Sequence, residues 1–248
     1  MERRTFREIA ADLRQEIVDG EYPTGSTLPP EPELAEKYRV SRSLVNRAMA
    51  VLHAEGLVRP QRGRGTQVTW LPPILHTPAR YSQASHEGGG EAFAAFTAEI
   101  KDLGLEPRHE IGTEEAAPPP GVAEILETTD CLARHRRLFI GDLPVRVSTS
   151  WFPTSIAPAR LREPVPIRAG GVKSVLASAG YPQSRARERI IMSRPPTDEE
   201  AYRLEISPER AVTEITHIGM TSEGRAVEVT VSVLPAHYVE AEYEYSID

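Results

Sequence analysis

One cysteine, Cys131, is the whole thiol complement of this 248-residue chain. A single thiol closes no intrachain disulfide and builds no clustered thiolate metal site, so stability must come from apolar burial, with Cys131 itself a small buried hydrophobe. No apolar run approaches the roughly 20 residues needed to cross a bilayer, and Arg3 and Arg4 lead into a charged helical pattern rather than a signal-peptide core. These absences predict a soluble, cytoplasmic chain with no membrane partner. Catalytic motifs are missing as well. The histidines at 53, 76, 86, 109, 135, 217 and 237 form no His-x-His or His-Glu-x-x-His set, Cys131 has no evident base, and neither Gly-x-Ser-x-Gly nor a phosphate loop occurs. The expectation is no catalytic residue, no metal and no cofactor.

Positive charge is also scarce, at 29 Lys and Arg against 36 Asp and Glu. It is unevenly placed. Residues 37 to 70 carry seven basic side chains against one acidic, whereas everything beyond Trp70 carries 18 basic and 26 acidic. That asymmetry points to one segment that meets a polyanion and a larger segment with another task. The length suits two ordinary domains, each with its own core.

Along the first part, Phe6, Ile9, Ala10, Leu13, Ile17 and Val18 recur at helical spacing over 5–19, and Gly20 follows as a stop. "EPELAEKY" predicts a short second helix, with Pro32 tolerated in its first turn and Glu31, Glu33 and Glu36 solvating it. Ser41 is expected to cap a third helix running to Glu55, ended by Gly56. Val45, Ala48, Met49 and Leu52 give that helix an apolar stripe, while Arg42, Ser43, Asn46 and Arg47 crowd its polar end. Strands at 57–59 and 66–69 flank the basic glycine turn "QRGRG". Two helices with a tight connection followed by a basic hairpin make the winged helix-turn-helix pattern.

Periodicity disappears over 71–91, where prolines and then Gly88 to Gly90 mark a linker. Beyond it the pattern predicts helices at 92–103, 121–127, 172–179 and 197–204, and strands at 132–140, 144–152, 185–193, 211–220 and 225–234. Strands joined by hairpin-type turns and interspersed with helices suggest an α+β domain on an antiparallel sheet. The expected division is 1–70 as the winged helix-turn-helix domain, 71–91 as linker, and 92–248 as the α+β domain.

The run "LPPEPELAEKYRVSRSLVNRAMAVLHAEGLVRPQRGRGTQV" closely resembles the DNA-binding domain of the GntR regulators. The remainder is similar to the UTRA ligand-sensing domain of the HutC subfamily, through "RHRRLFIGDLPV" with "STSWFP", "AGGVKSVLASAG" and "RAVEVTVSVLP". The resemblance implies a homodimeric transcription factor whose DNA affinity is set by a small molecule, with a second domain of chorismate lyase-like fold. One departure is plain: where the family's second helix opens on serine, glutamate, arginine, glutamate, this chain has Pro30, Glu31, Pro32 and Glu33. The arginine that contacts DNA in the family is absent.

The polar end of the third helix is the end a recognition helix presents to the major groove of double-stranded DNA. Arg42 and Arg47 suit guanine O6 and N7, and Asn46 suits adenine N6 and N7. Ser41 and Ser43 fit phosphates, helped by free amides at the helix start. In the wing, Gly63 permits a tight turn that projects Arg62 and Arg64, with Thr66 beside them, toward a minor groove whose negative potential attracts arginine. The expected site is a near-palindromic operator bound by a dimer.

For the effector, a helix start over Gly170, Gly171, Val172, Lys173 and Ser174 offers amides and a dipole to an anion. The family resemblance adds Arg134 and Arg136 on a strand, Ser148 after the strand turn, and Glu228 on the last strand. Alternation places Glu228, Thr230 and Ser232 on one face, which suits either a ligand cavity or solvent. A repressor released by a small phosphorylated or carboxylated metabolite is the leading expectation. Two alternatives are an enzyme of chorismate lyase-like fold fused to a DNA-binding domain, which the missing motifs oppose, and a DNA-binding regulator with no small-molecule effector.

Overall fold

Thr5 and Glu8 determine where the first helix begins: the Thr5 hydroxyl accepts from the Glu8 amide at 3.3 Å, and the Thr5 amide donates back to the Glu8 carboxylate at 2.6 Å. In the computed structural model, which describes residues 4–77, 100–101, 103–167 and 171–244, helix α1 then runs Phe6–Val18 and buries Ile9, Leu13 and Ile17 at four-residue spacing. Helix α2, Glu31–Tyr38, ends where Arg39 turns left-handed at φ 55°, and α3, Arg42–Glu55, ends at Gly56 with φ 78°. Leu34, Val45, Ala48 and Leu52 close the core between the three helices. Strands β1, Val58–Gln61, and β2, Gly65–Val68, form an antiparallel hairpin that Thr27 extends by bridging Gln67. The hairpin is pinned to the end of α3 by Thr69, whose hydroxyl donates to the Gly56 carbonyl at 2.7 Å.

The chain divides at Pro72 and Pro73. The second unit carries a six-stranded sheet built from β4 Pro107–Ala116, β5 Cys131–Ile140, β6 Leu143–Pro153, β7 Arg185–Arg194, β8 Val212–Met220 and β9 Ala226–Pro235. Their order is β4-β5-β6-β9-β8-β7, with every neighbouring pair antiparallel. Helices α4, Pro120–Leu126, and α7, Asp198–Leu204, cover one face: α4 packs on Ala133, Trp151 and Val229, and Leu204 of α7 on Val147 and Val233. On the other face α5, Ala159–Arg162, and α6, Gly171–Ser178, pack on Leu132 and Phe152. Cys131 is fully buried, as expected.

Two elements differ from the expected pattern. Residues 74–76, expected within a linker, form strand β3, which pairs in parallel with β10, Val239–Ala241. Its apolar side chains Ile74 and Leu75 pair with Val239 and Glu240, 165 residues away in sequence, so no local signal marks them. Strand β4 was not expected, because an edge strand that is half exposed carries "PRHEIGTEEA", a charged sequence without an apolar face. The helix expected over 92–103 and the remainder of the linker lie largely outside the described residues. Among the described residues, no helix is long and apolar enough to cross a membrane.

β3 is clipped to the sheet by His76, whose Nε2 lies 3.1 Å from Glu188 of β7; the second Glu188 oxygen lies 3.0 Å from His217 Nδ1 of β8. Burial opposes the charge of Glu188, but the hydrogen bonds with His217 and His76 outweigh it and bring the carboxyl from an ordinary 4.5 down to about 2. A carboxyl depressed in this way adds stability in full above pH 4.5 and loses it as pH falls toward 2. We expect Glu188→Gln to remove on the order of 3 kcal/mol of unfolding free energy at neutral pH. It should also flatten the pH dependence between those values, measured by urea unfolding across a pH series. An unchanged slope would show that the clip does not hold a charge.

Candidate functional site

At the start of α3, Ser41 adopts an extended backbone, φ −73° and ψ 151°, yet its hydroxyl makes no cap hydrogen bond. The expected side-chain cap is therefore corrected. The Ser41 carbonyl takes the Leu44 amide at 3.0 Å, which is the donor the hydroxyl would have used, and the hydroxyl is left at the surface. Arg42, Ser43, Asn46 and Arg47 are all exposed, while Val45, Ala48 and Met49 face the core, so the polar end forms one outward surface. Two of its members are held. Asn46 Nδ2 donates to Glu31 Oε1 of α2 at 3.2 Å, and the Arg47 guanidinium lies 4.0 Å above the Phe6 ring.

The hairpin tip presents Arg62, Gly63 and Arg64 to solvent, with Gly63 at φ 74° and Gly65 at φ 86°. Gly65 is doubly required, since a Cβ there would also lie 2.9 Å from the Thr27 methyl. Thr66 is half-buried, and its carbonyl accepts from the Leu28 amide at 2.8 Å, so it anchors the wing rather than projecting from it. Beneath the tip, Gln67 Oε1 accepts from Arg59 at 3.0 Å and from Gln61 at 2.7 Å. Glu55, the single acid among residues 37 to 70, is bound twice by Arg14 of α1, at 2.9 and 2.6 Å. Its charge therefore offsets little of the positive surface.

In the second unit a polar row crosses the middle of the sheet on the α6 side. Register places Arg136, Ser148 and Ser232 abreast on β5, β6 and β9, and Arg134, Ser150 and Thr230 abreast one step along. All six are buried, as are Arg146 and Glu228. Arg136 donates to Ser150 at 2.5 Å, Arg146 to Ser232 at 2.7 Å, and Ser148 and Ser232 share a hydrogen bond at 3.0 Å. Glu228 accepts from Thr230 at 2.8 Å and from Gln183 at 2.7 Å, and Ser150 bonds to Thr230.

Arg134, 2% exposed, faces the same way but is committed differently. Its Nη1 donates to the carbonyls of Leu161 at 3.1 Å and Glu163 at 2.6 Å, and its Nη2 to that of Val165 at 2.5 Å. It braces the end of α5 and the loop that follows. Gly171 and Val172 are buried and Lys173 is half-buried, while Ser174 is exposed; Gly170 lies outside the described residues. Val172 shares a cluster with Leu132 and Phe152. The start of α6 therefore stands over the sheet one two-residue step, roughly 7 Å, from Arg134 and Ser150, and two steps from Arg136 and Ser148.

Arg146, Ser150 and Gln183 were not among the expected residues. Arg146 and Ser150 alternate with Ser148 in "RVSTS", a pattern legible once Ser148 is placed inward. Gln183 has no such signal. It lies in the loop before β7, and its amide fills the space over Gly219, where a Cβ would meet it at 2.5 Å.

The bracing role of Arg134 has a direct consequence. Replacing it with methionine keeps much of the volume but removes three hydrogen bonds to loop carbonyls, so we expect a loss of about 3–5 kcal/mol in the second unit, of the size seen when a buried charged network is broken. Thermal unfolding of the full chain checks this. A change within about 0.5 kcal/mol, the range of ordinary surface substitutions, would contradict it.

Comparison with known proteins identifies both halves. Bacterial regulatory proteins of the gntR family match residues 5–68, and the UTRA domain matches residues 102–240. An uncharacterised HTH-type transcriptional regulator of Streptomyces coelicolor is 30% identical over 252 residues, covering 98% of this chain and 93% of that protein. A solved GntR-family transcriptional regulator aligns with a TM-score of 0.54 and 26% identity over 98% of each chain. PhnF from Mycobacterium smegmatis, at 22% identity, shares the fold with a TM-score of 0.57 over 97% of this chain and 100% of its own. The chain therefore belongs to the GntR family of bacterial regulators, as a DNA-binding transcriptional regulator rather than an enzyme, with an N-terminal helix-turn-helix domain and a C-terminal UTRA ligand-binding domain.

Proposed function

We propose that this regulator is a cytoplasmic repressor of the HutC subfamily, which binds a near-palindromic operator as a homodimer and is released when a small anionic metabolite occupies the polar row of its UTRA sheet. The observation that carries this reading is the row itself. A sheet face packed beneath helices is ordinarily apolar, because each buried polar group costs free energy unless it is bonded. Here Arg136, Arg146, Ser148, Ser150, Glu228, Thr230 and Ser232 are buried side by side. Such a face is suited to a polar ligand, with arginine and hydroxyl donors for a phosphate or carboxylate at one end. Glu228 and Gln183 at the other end suit a ligand hydroxyl or amine. The start of α6, from Gly171 to Ser174 with Lys173, closes on the anion. Arg134 acts as a positioning residue.

In the DNA-binding half, Arg42, Asn46 and Arg47 read base edges, Ser41 and Ser43 meet phosphates, and Arg62 and Arg64 with Gly63 at the turn enter the minor groove, held by Thr66. One such helix and wing supply too few contacts for tight specific binding, which is the reason for a dimer. The dimer contact falls to the UTRA half. A ligand that binds the two arrangements of that half unequally moves the two α3 helices out of the roughly 34 Å spacing of successive major grooves.

Three outcomes follow. Arg64→Ala lowers affinity for all DNA sequences and reduces the slope of log K against log salt by about one, measured by fluorescence anisotropy. Arg47→Ala costs about 1–3 kcal/mol on the operator and relaxes preference at one base pair; equal losses on operator and random DNA would contradict base reading. In a melting screen against phosphorylated and carboxylated metabolites, a ligand at 100 times its Kd stabilises by about 2.7 kcal/mol. Arg136→Met should abolish that shift. A shift that survives the substitution would place the ligand elsewhere.

A further inference from the structure

The second helix lacks the arginine with which related proteins meet DNA: Pro32 takes its place, and Glu31 stands between two prolines. Pro30 occupies the N-cap of α2 and Pro32 lies in its first turn. Both rings restrict φ to about −65°, so the backbone on either side of Glu31 has little freedom. From this rigid frame Glu31 Oε1 accepts from Asn46 Nδ2 on α3 at 3.2 Å. We propose that Glu31 is a specificity-determining positioning residue: it locks the Asn46 amide in one orientation and thereby commits each half-site to adenine at one position.

Hydrogen-bond direction fixes which end of the amide Glu31 can hold. An ionised carboxylate only accepts, so it binds the nitrogen end of the amide and never the oxygen end. That removes the half-turn freedom of the amide, whose two ends are otherwise nearly equal in shape. With one Nδ2 hydrogen given to Glu31, Asn46 keeps its Oδ1 acceptor and its second Nδ2 hydrogen. One acceptor beside one donor is complementary to the major-groove edge of adenine, which offers the N6 donor and the N7 acceptor; guanine offers two acceptors and does not match. An amide free to turn over would present its donor and acceptor in either order and discriminate less. The Glu31 carboxylate, half-buried beside an exposed Asn46, also repels any phosphate that approaches the same place, which favours a base edge there over a backbone contact.

This inference rests on the reading that α3 enters the major groove, and the experiment separates the two. Binding sites are selected from a randomised duplex library by the full chain and by Asn46→Ala, Glu31→Ala and Glu31→Gln, each first checked for an unchanged melting temperature of the DNA-binding half. The wild type should prefer adenine at one position of each half-site by about 10- to 100-fold. Asn46→Ala should lose that preference, and Glu31→Ala should reduce it below about threefold. Glu31→Gln offers a donor as well as an acceptor, so it can bind either end of the Asn46 amide and should also weaken the preference, while both Glu31 variants raise affinity for all sequences through loss of the negative charge. If Asn46→Ala changes no position, the reading of α3 fails. If Asn46→Ala relaxes the position but the Glu31 variants raise affinity without relaxing it, Glu31 acts by charge alone, and the positioning role is overturned.

Discussion

Polar side chains buried in the middle of a sheet are the constraint on which the second half of this protein is arranged. Arg136, Arg146, Ser148, Ser150, Glu228, Thr230 and Ser232 lie where neighbouring strands would ordinarily contribute valine and isoleucine. Each must be bonded, because an unsatisfied polar group in such a place costs about 1–3 kcal/mol. The strands answer by register: Ser148 faces Ser232 and Ser150 faces Thr230, so hydroxyls bond across the ladder. The apolar packing is displaced to one end of that face, where Leu132, Phe152, Val172 and Leu176 join α6 to the sheet, and to the opposite face under α4 and α7. Rigidity on one side thus supports a polar surface on the other.

The DNA-binding half solves the inverse problem. Its polar groups face outward, and its apolar groups hold the outward surface in shape. Leu13 and Ile17 of α1, Leu34 of α2 and Leu52 of α3 are fully buried. Lys37 reinforces the junction by donating to both Glu16 oxygens at 2.6 and 2.7 Å. Beside it, burial with Glu16 nearby pushes the Tyr38 hydroxyl up to about 12. Arg42, Arg62 and Arg64 are exposed at the surface, and Asn46 and Arg47 are steered by Glu31 and Phe6.

Much of this was legible in the residues. Helical spacing with glycine stops located α1, α2 and α3, because local capping and an amphipathic stripe decide such helices. The basic glycine turn located the wing to within two residues. Strand β4 and strand β3 were not legible, since one is a charged edge strand and the other is defined by a partner at the far end of the chain. In the sheet, alternation put Glu228, Thr230 and Ser232 together but could not say whether they faced ligand or solvent. That depends on which face α5 and α6 cover, a long-range fact. The same limit explains Arg134: its position on the polar face was readable, but its use by the carbonyls of 161, 163 and 165 depends on where a distant loop lies.

One measurement tests most directly the proposed link between the buried polar row and release from DNA. The operator complex of the full chain is titrated with the metabolite that most raises its melting temperature, alongside the double variant Arg136→Glu with Lys173→Glu. The account predicts that the wild type leaves the operator as the ligand saturates, while the double variant, binding the operator equally well without ligand, stays bound at the same concentrations. Release of both proteins at an unchanged ligand concentration would contradict it.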